Sequence, residues 1–241
     1  MANPIMKVME ESRVLEGEPM TISGSINKTL LLFGVLFATA FYTWSLVMQG
    51  FTDQAAMLSL VGASGGFVLA LIIIFTKKAL PVLTPIYAAA EGLFIGGVSA
   101  VYAGQYTGIV LQAVICTFAV MLSMLVLFKA RIIKCTETLR SVVITATMSV
   151  CAIYIIQFIA SFFGRGIPQI FTASPMGIAF SAVVVLIAAF NLILDFDFIE
   201  RGAENLLPKD FEWYGAFGLM ISLIWLYLEI LKLLAKVNSR R

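Results

Sequence analysis

Histidine is absent from this chain, and other ligand and charged residues are scarce. The 241 residues include no His, only three Cys, and 12% Asp, Glu, Lys and Arg together. The absence of His excludes His-dependent hydrolases, His-ligated zinc or haem, and histidine pH switches. Cys116, Cys135 and Cys151 have neither the even count of a disulfide framework nor metal-ligand spacing. Any sensing of protons near neutral pH must therefore fall to carboxyl groups in unusual surroundings.

No nucleic-acid partner is expected. The net charge is only +2, and no basic stripe interleaved with aromatic residues occurs. Residues 1–29 are polar and of mixed charge, unlike a cleaved signal peptide with its basic start and short apolar core. We therefore predict a polar N-terminal arm over residues 1–29 and a transmembrane domain over residues 30–241.

Long apolar runs are what the chain has in abundance, since 61% of its residues are hydrophobic. A bilayer core of roughly 30 Å needs about 20 apolar residues in a helix. The continuous runs exclude the alternating pattern of a membrane β-barrel. We predict an all-α integral membrane protein with seven transmembrane helices, at about 30–48, 56–76, 82–103, 107–128, 140–163, 176–198 and 213–236.

The distribution of Lys and Arg predicts the orientation. Eleven of these residues lie in the N-terminal arm and the even-numbered connections, against one, Arg165, in the odd-numbered connections. The N-terminus is therefore expected in the cytoplasm. The tail is also basic, with Lys232, Lys236, Arg240 and Arg241. Either the last helix crosses fully despite this tail, which we favour, or it is re-entrant.

Small residues predict close helix packing. Gly62, Ser64, Gly65 and Gly66 cluster in the second predicted helix, and Gly92 and Gly96 lie four residues apart in the third. Such spacing allows neighbouring helix backbones to approach. We expect these residues to serve packing.

Four carboxylates fall inside the predicted helices, namely Glu91, Asp195, Asp197 and Glu229. Ionisable residues at this depth are costly and usually face an interior cavity with a functional role. Only Lys232 is a basic residue at comparable depth. The acids are therefore expected to share protons, contact water or bind a cation.

Neighbouring polar residues add detail to these sites. Tyr87 precedes Glu91 by four residues, and Asn191 precedes Asp195 by four, so each pair shares one helix face. Two carboxyl groups brought together cannot both ionise cheaply, which makes an acid pair a workable proton switch. Asp197 lies close enough to the end of its helix to be either a solvated boundary residue or part of an ion pathway.

Three stretches carry a family resemblance: "TPIYAAAEGLFIGGVSA", "FNLILDFDFIERG" and "LIWLYLEILKLLAKV". Together they resemble the transmembrane Bax inhibitor motif family, specifically its bacterial branch. The resemblance implies a seven-helix fold in which the other six helices surround the last, and a pH-sensitive calcium leak in the bacterial plasma (inner) membrane.

The resemblance also implies the site residues. The family pairs an Asp late in the sixth helix, here Asp195, with an Asp in the seventh, where this chain has Glu229 in "LYLE". This proton-sensing pair would also be a weak calcium site. Glu91 matches the family's own glutamate in "AEGL" and is a candidate for the pathway, together with Asp197, Tyr87 and Asn191.

Helix geometry sets a condition on that pair. Asp195 lies near the end of its predicted helix and Glu229 far from the start of the next, so their depths differ by roughly 20 Å. The two can meet only if the seventh helix begins well outside the hydrocarbon, near Glu212 and Trp213.

The sequence lacks the motifs of three other classes of membrane protein. An intramembrane aspartyl protease would have a GxGD arrangement, but "LILDFD" lacks its glycines. A retinal protein could use Lys232, but the third predicted helix of this chain lacks the expected partners. A zinc site is not expected because the chain has no His. We therefore expect no enzyme and no cofactor, with calcium only as a transported ion. The partners would be the lipid bilayer, calcium ions and protons. The alternative is a non-transporting regulator that binds a membrane quality-control protease through its N-terminal arm.

Overall fold

Seven long helices form the protein in the computed structural model, which describes residues 18–163 and 168–240. All seven are long and apolar enough to cross a membrane. A short helix, Pro168–Phe171, precedes the sixth, and the described residues contain no β-strand. The predicted fold class is therefore confirmed. The helices are α1 (Ile22–Met48), α2 (Thr52–Thr76), α3 (Leu80–Gln105), α4 (Ile109–Lys129), α5 (Glu137–Phe162), α6 (Pro175–Glu204) and α7 (Phe211–Asn238).

Side-chain caps, rather than the edges of the apolar runs, set several helix starts. Thr21, Thr136 and Ser174 each accept a hydrogen bond from a backbone N–H in the first turn of α1, α5 and α6. Such a cap satisfies one of the donors that a helix N-terminus leaves unpaired. As a result, α1 begins at Ile22, well before the apolar run that starts near residue 30.

The last helix, α7, is the centre of the bundle. It packs on α1, α3, α4 and α6, and 56% of its most apolar window is buried, the highest share among the seven helices. The expected central position is confirmed. The expectation that all six other helices surround α7 is wrong for α2, which packs on α1 and α3; α5 packs its backbone on α6 and contacts α7 through the Tyr154 side chain.

The two ends of α7 contact opposite ends of α6, so α7 is not re-entrant. Near its start, Gly215 lies against Ile199. Near its end, Lys236 Nζ donates to the backbone oxygens of Ile170 and Gly177 and to Ser181 Oγ at 2.8–3.1 Å. These three acceptors satisfy the ammonium group of Lys236, so a basic residue can lie at the end of α7.

Glycines bring α1 and α2 against α3, as their spacing predicts. A Cβ at Gly92 would lie 2.3 Å from the Leu36 carbonyl oxygen, and one at Gly96 would lie 2.2 Å from that of Ala40. A Cβ at Gly62 would lie 2.4 Å from the oxygen of Ala90. A side chain at any of these positions would push two helices apart. Gly65, by contrast, faces open space.

The first described residues, 18–20, are hydrogen-bonded to the α6–α7 connection. Met20 N donates to Leu207 O at 2.7 Å, and Lys209 N donates to Glu18 O at 3.1 Å. The Met20 side chain, 2% exposed, lies against Gly202 and Gly215. Residues 1–17 of the predicted arm lie outside the described residues.

The start of α7 is held from the same side. Glu212 is 1% exposed, pairs with Lys28 and accepts hydrogen bonds from Thr21 N and Oγ1 at 2.8 and 2.9 Å. The helix therefore begins in a buried ionic contact with the first turns of α1.

Candidate ion site

Glu229 is an almost fully buried carboxylate on the central helix, 1% exposed. Its Oε1 accepts hydrogen bonds from Tyr154 Oη of α5 at 2.9 Å and from Lys232 Nζ at 3.0 Å. Its Oε2 is buried and has no hydrogen-bond partner in the protein. One carboxylate oxygen is thus satisfied while the other remains able to accept a proton or a cation.

A cavity of about 410 Å³ is lined in part by Tyr154 and Lys232, the two residues that hydrogen-bond to Glu229. The Lys232 ammonium projects over the Tyr154 ring, 4.9 Å from its centroid. This ammonium is the nearest built-in cation to the carboxylate. The other lining side chains are mostly aromatic or hydroxylic and include Tyr102, Tyr106, Phe171, Phe180, Ser181 and Lys236.

Asp195 is the second carboxylate with an unsatisfied oxygen. It projects from α6 towards α7, where a Cβ at Gly218 would lie 3.2 Å from its Oδ1. The Ser222 hydroxyl lies within hydrogen-bonding reach of this carboxylate. Asp195 Oδ2 is buried without a partner, like Glu229 Oε2.

The structure does not bring Asp195 and Glu229 together. Asp195 lies beside Gly218 and Ser222, and Glu229 is two helical turns beyond Ser222, about 10 Å further along α7. The predicted carboxylate pair, and the calcium site that both residues would share, are therefore not formed in this structure. The cause is the depth difference noted above, because α7 and α6 run antiparallel and place the two acids at different levels.

Asp197 is held by arginines. Its side chain, 7% exposed, accepts from Arg140 Nη2 of α5 and lies 2.9 Å from Arg201 Nε. The interpretation of Asp197 as a solvated boundary residue is wrong, and so is the view that Lys232 is the only cation near the acids. The Cys135 thiol lies against this cluster, and burial raises its pKa.

Asn191 connects α6 to α5. Its Nδ2 donates to Thr147 Oγ1 and to the Ile187 backbone oxygen, both at 2.9 Å. Asn191 and Asp195 share one face of α6, as their spacing predicts.

Glu91 and Tyr87 form a separate group on α3. The Tyr87 hydroxyl lies close to the Glu91 carboxylate, and the Tyr87 ring packs edge-on against Phe217 of α7 at 4.9 Å. A Cβ at Gly66 of α2 would lie 2.8 Å from Glu91 Oε1. Glu91 is therefore directed towards α2, and no hydrogen bond or ion pair among the described residues joins it to the acids on α6 and α7.

The arrangement offers isolated carboxylates rather than a metal cage. Among the described residues, no group of three or more His, Cys, Asp or Glu side chains could hold a metal ion. Resident calcium prefers six to eight oxygen ligands, which is far more than either acid provides. Neither acid therefore has the ligand set of a resident calcium site.

Sequence reasoning missed the partners on α5. Arg140, Thr147 and Tyr154 contact Asp197, Asn191 and Glu229, respectively. A signal was present, because these three polar residues recur at intervals of seven, which places them on one helix face.

Comparison with known proteins agrees with the fold. A family model described as Bax inhibitor 1 like matches residues 3–239, nearly the whole chain. No curated protein matches the chain. The chain therefore belongs to the Bax inhibitor 1 like family.

Proposed function

We propose that this Bax inhibitor 1 like membrane protein is a pH-responsive cation leak pathway, with calcium as the main ion, and not an enzyme. The observation that supports this proposal is a pair of buried carboxylate oxygens, Asp195 Oδ2 and Glu229 Oε2, without hydrogen-bond partners inside membrane-spanning helices. Groups of this kind in membrane proteins commonly belong to ion or proton pathways.

The two acids would act separately rather than as one pair. A buried anionic oxygen without a donor is costly, so each group gains from taking up either a proton or a cation. With a proton bound, the carboxyl is neutral and attracts no cation; with the proton released, it attracts one. Because both acids contact or lie on the central helix, their charge would bias the packing of α7 between closed and conducting states.

The direction of the pH response follows from this competition. Protons and cations would compete for these carboxyl groups, so cation flux should increase from pH 5 to pH 8. We further propose the bacterial inner membrane as the location, with the N-terminus in the cytoplasm. The excess of Lys and Arg on the N-terminal side supports this orientation.

Calcium flux into proteoliposomes, measured from pH 5 to 8, tests the proposal. Asp195→Asn and Glu229→Gln should each flatten the pH response, because neither replacement retains a carboxyl group. Asp53→Asn is the control, because it neutralises an exposed carboxylate at the start of α2, a helix that packs on neither α6 nor α7. A wild-type flux no greater than that of empty vesicles at every pH would refute the proposal.

The second candidate function is a non-transporting regulator of a membrane protease. The observation that favours it is the backbone pairing of residues 18–20 with the α6–α7 connection, which fixes the end of the N-terminal arm on that connection. Deletion of residues 1–17 should then abolish regulation of the protease while leaving the fold intact. Under the leak proposal, the same deletion should leave calcium flux nearly unchanged.

A further inference from the structure

Helix α5 is attached to the bundle less firmly than any other membrane-spanning helix. Among the described residues its backbone packs only on α6, and only 11% of its most apolar window is buried. Val143 and Val150 are its only buried residues. Most of its remaining apolar side chains, such as Ile155 and Phe158, are exposed and would face lipid.

Polar contacts largely replace apolar burial on the inner face of α5. Arg140 contacts Asp197, Thr147 contacts Asn191, and Tyr154 contacts Glu229, all at 2.9 Å. We call this interface the α5 seam: Arg140, Thr147 and Tyr154 on α5 facing Asp197, Asn191 and Glu229 on α6 and α7.

The α5 seam extends across much of the membrane. Arg140 and Tyr154 are 14 residues apart, which is about 21 Å along a helix. The hydrocarbon core is about 30 Å thick. The three contacts therefore form a line of polar groups from one side of the bundle towards the other, and Asp195 lies one turn from Asn191 on the same face of α6.

We propose that the α5 seam is the cation path of this protein and that its three polar contacts hold it closed in this structure. The proposal rests on the leak function and assigns that function to one interface. It adds Arg140, Thr147 and Tyr154 to the functional residues, because their side chains occupy the places beside Asp197, Asn191 and Glu229 that a cation would take.

Movement of α5 away from α6 would expose the path without leaving its acids wholly unpaired. Arg140 would leave Asp197, which keeps Arg201, and Tyr154 would leave Glu229, which keeps Lys232. The seam would then present carboxylate and amide oxygens, the ligand class that calcium prefers. Individual polar contacts between membrane helices are weak, so three of them can close a path and still release it.

A reversible crosslink across the seam tests whether α5 must move. Thr147→Cys and Asn191→Cys are combined in a protein without its three native cysteines and joined by a short bis-methanethiosulfonate reagent. We expect the crosslink to lower calcium flux at least about fivefold and a reducing agent to restore it. Each single-cysteine variant, treated in the same way, is the control for the reagent. Recovery on reduction separates the effect of the crosslink from misfolding.

Water access to the seam gives a readout that does not depend on calcium flux. Val150→Cys, buried within α5, should react with a membrane-impermeant cationic methanethiosulfonate at the pH of highest flux. Its rate should exceed that of Leu32→Cys at least about tenfold. Leu32 is equally buried, but on α1, which does not pack on α5.

The outcomes separate this inference from the leak function itself. The proposal that the α5 seam is the cation path would be overturned, with the leak function intact, by three results together. The wild type would show calcium flux, the crosslink would leave that flux unchanged, and Val150→Cys would react no faster than Leu32→Cys. A wild type without flux would refute the leak function. Loss of flux on crosslinking with recovery on reduction, together with rapid labelling of Val150→Cys, would support the seam.

Discussion

Replacing Gly96 by Ala should destabilise the contact between α1 and α3. The added Cβ would lie 2.2 Å from the Ala40 carbonyl oxygen and 2.9 Å from the Ala40 carbonyl carbon and Cα. All three atoms belong to the backbone of α1, so no flexible side chain can move aside. The two helices would have to separate by about 1 Å to reach ordinary van der Waals distances.

The size of the effect follows from overpacking. Forcing an extra methyl group into a closely packed interface costs about 1–3 kcal/mol. For a chain of this length, each kcal/mol corresponds to a shift of about 2–4 °C in the melting temperature. We therefore expect Gly96→Ala to lower the melting temperature by about 3–10 °C, measured by intrinsic fluorescence of the detergent-solubilised protein.

Gly104→Ala is the matched control on the same helix. Its Cβ would meet nothing within 4 Å. In a helix, Ala is favoured over Gly by up to about 1 kcal/mol. This variant should therefore melt at the wild-type temperature or slightly above it. Equal melting temperatures for Gly96→Ala and Gly104→Ala would refute the close approach of α1 and α3.

Two further predictions concern the buried ion pair and the buried thiol. Lys28→Met should lower the free energy of unfolding by about 3 kcal/mol, because it leaves the 1%-exposed Glu212 without its cation. In the same denaturation assay, Lys78→Met should have no measurable effect, because Lys78 is exposed. Cys135, as the only cysteine retained, should react with iodoacetamide at pH 8 at least about tenfold more slowly in the native protein than in SDS, since burial raises its pKa and leaves less thiolate; equal rates would contradict its burial.

Most of the fold could be predicted from the sequence because hydropathy decides it. Seven apolar runs of bilayer length predict seven helices, and Gly92 and Gly96 predicted a closely packed face of α3, which the structure places against α1. The first helix was predicted to start too late, because its start depends on a polar cap at Thr21 rather than on hydropathy.

The site was harder to predict because its partners come from distant segments. The sequence singled out Asp195, Asp197 and Glu229 through their cost in a membrane, but it could not show that Arg140 and Arg201 bind Asp197. The expected pairing of Asp195 with Glu229 was wrong for this structure, since depth along antiparallel helices decides which acids meet. Neighbours four residues apart on one helix, such as Tyr87 and Glu91, were predicted correctly because helix geometry alone fixes them.

The most direct test of the leak function is the pH profile of calcium flux in proteoliposomes that contain either the wild type or the Asp195→Asn, Glu229→Gln double variant. We predict a wild-type flux that rises from pH 5 to pH 8 and a double variant whose flux does not change with pH. Two results would contradict the proposed role of these two buried acids. One is a wild-type flux equal to that of empty vesicles, and the other is a double-variant flux that rises with pH as the wild-type flux does.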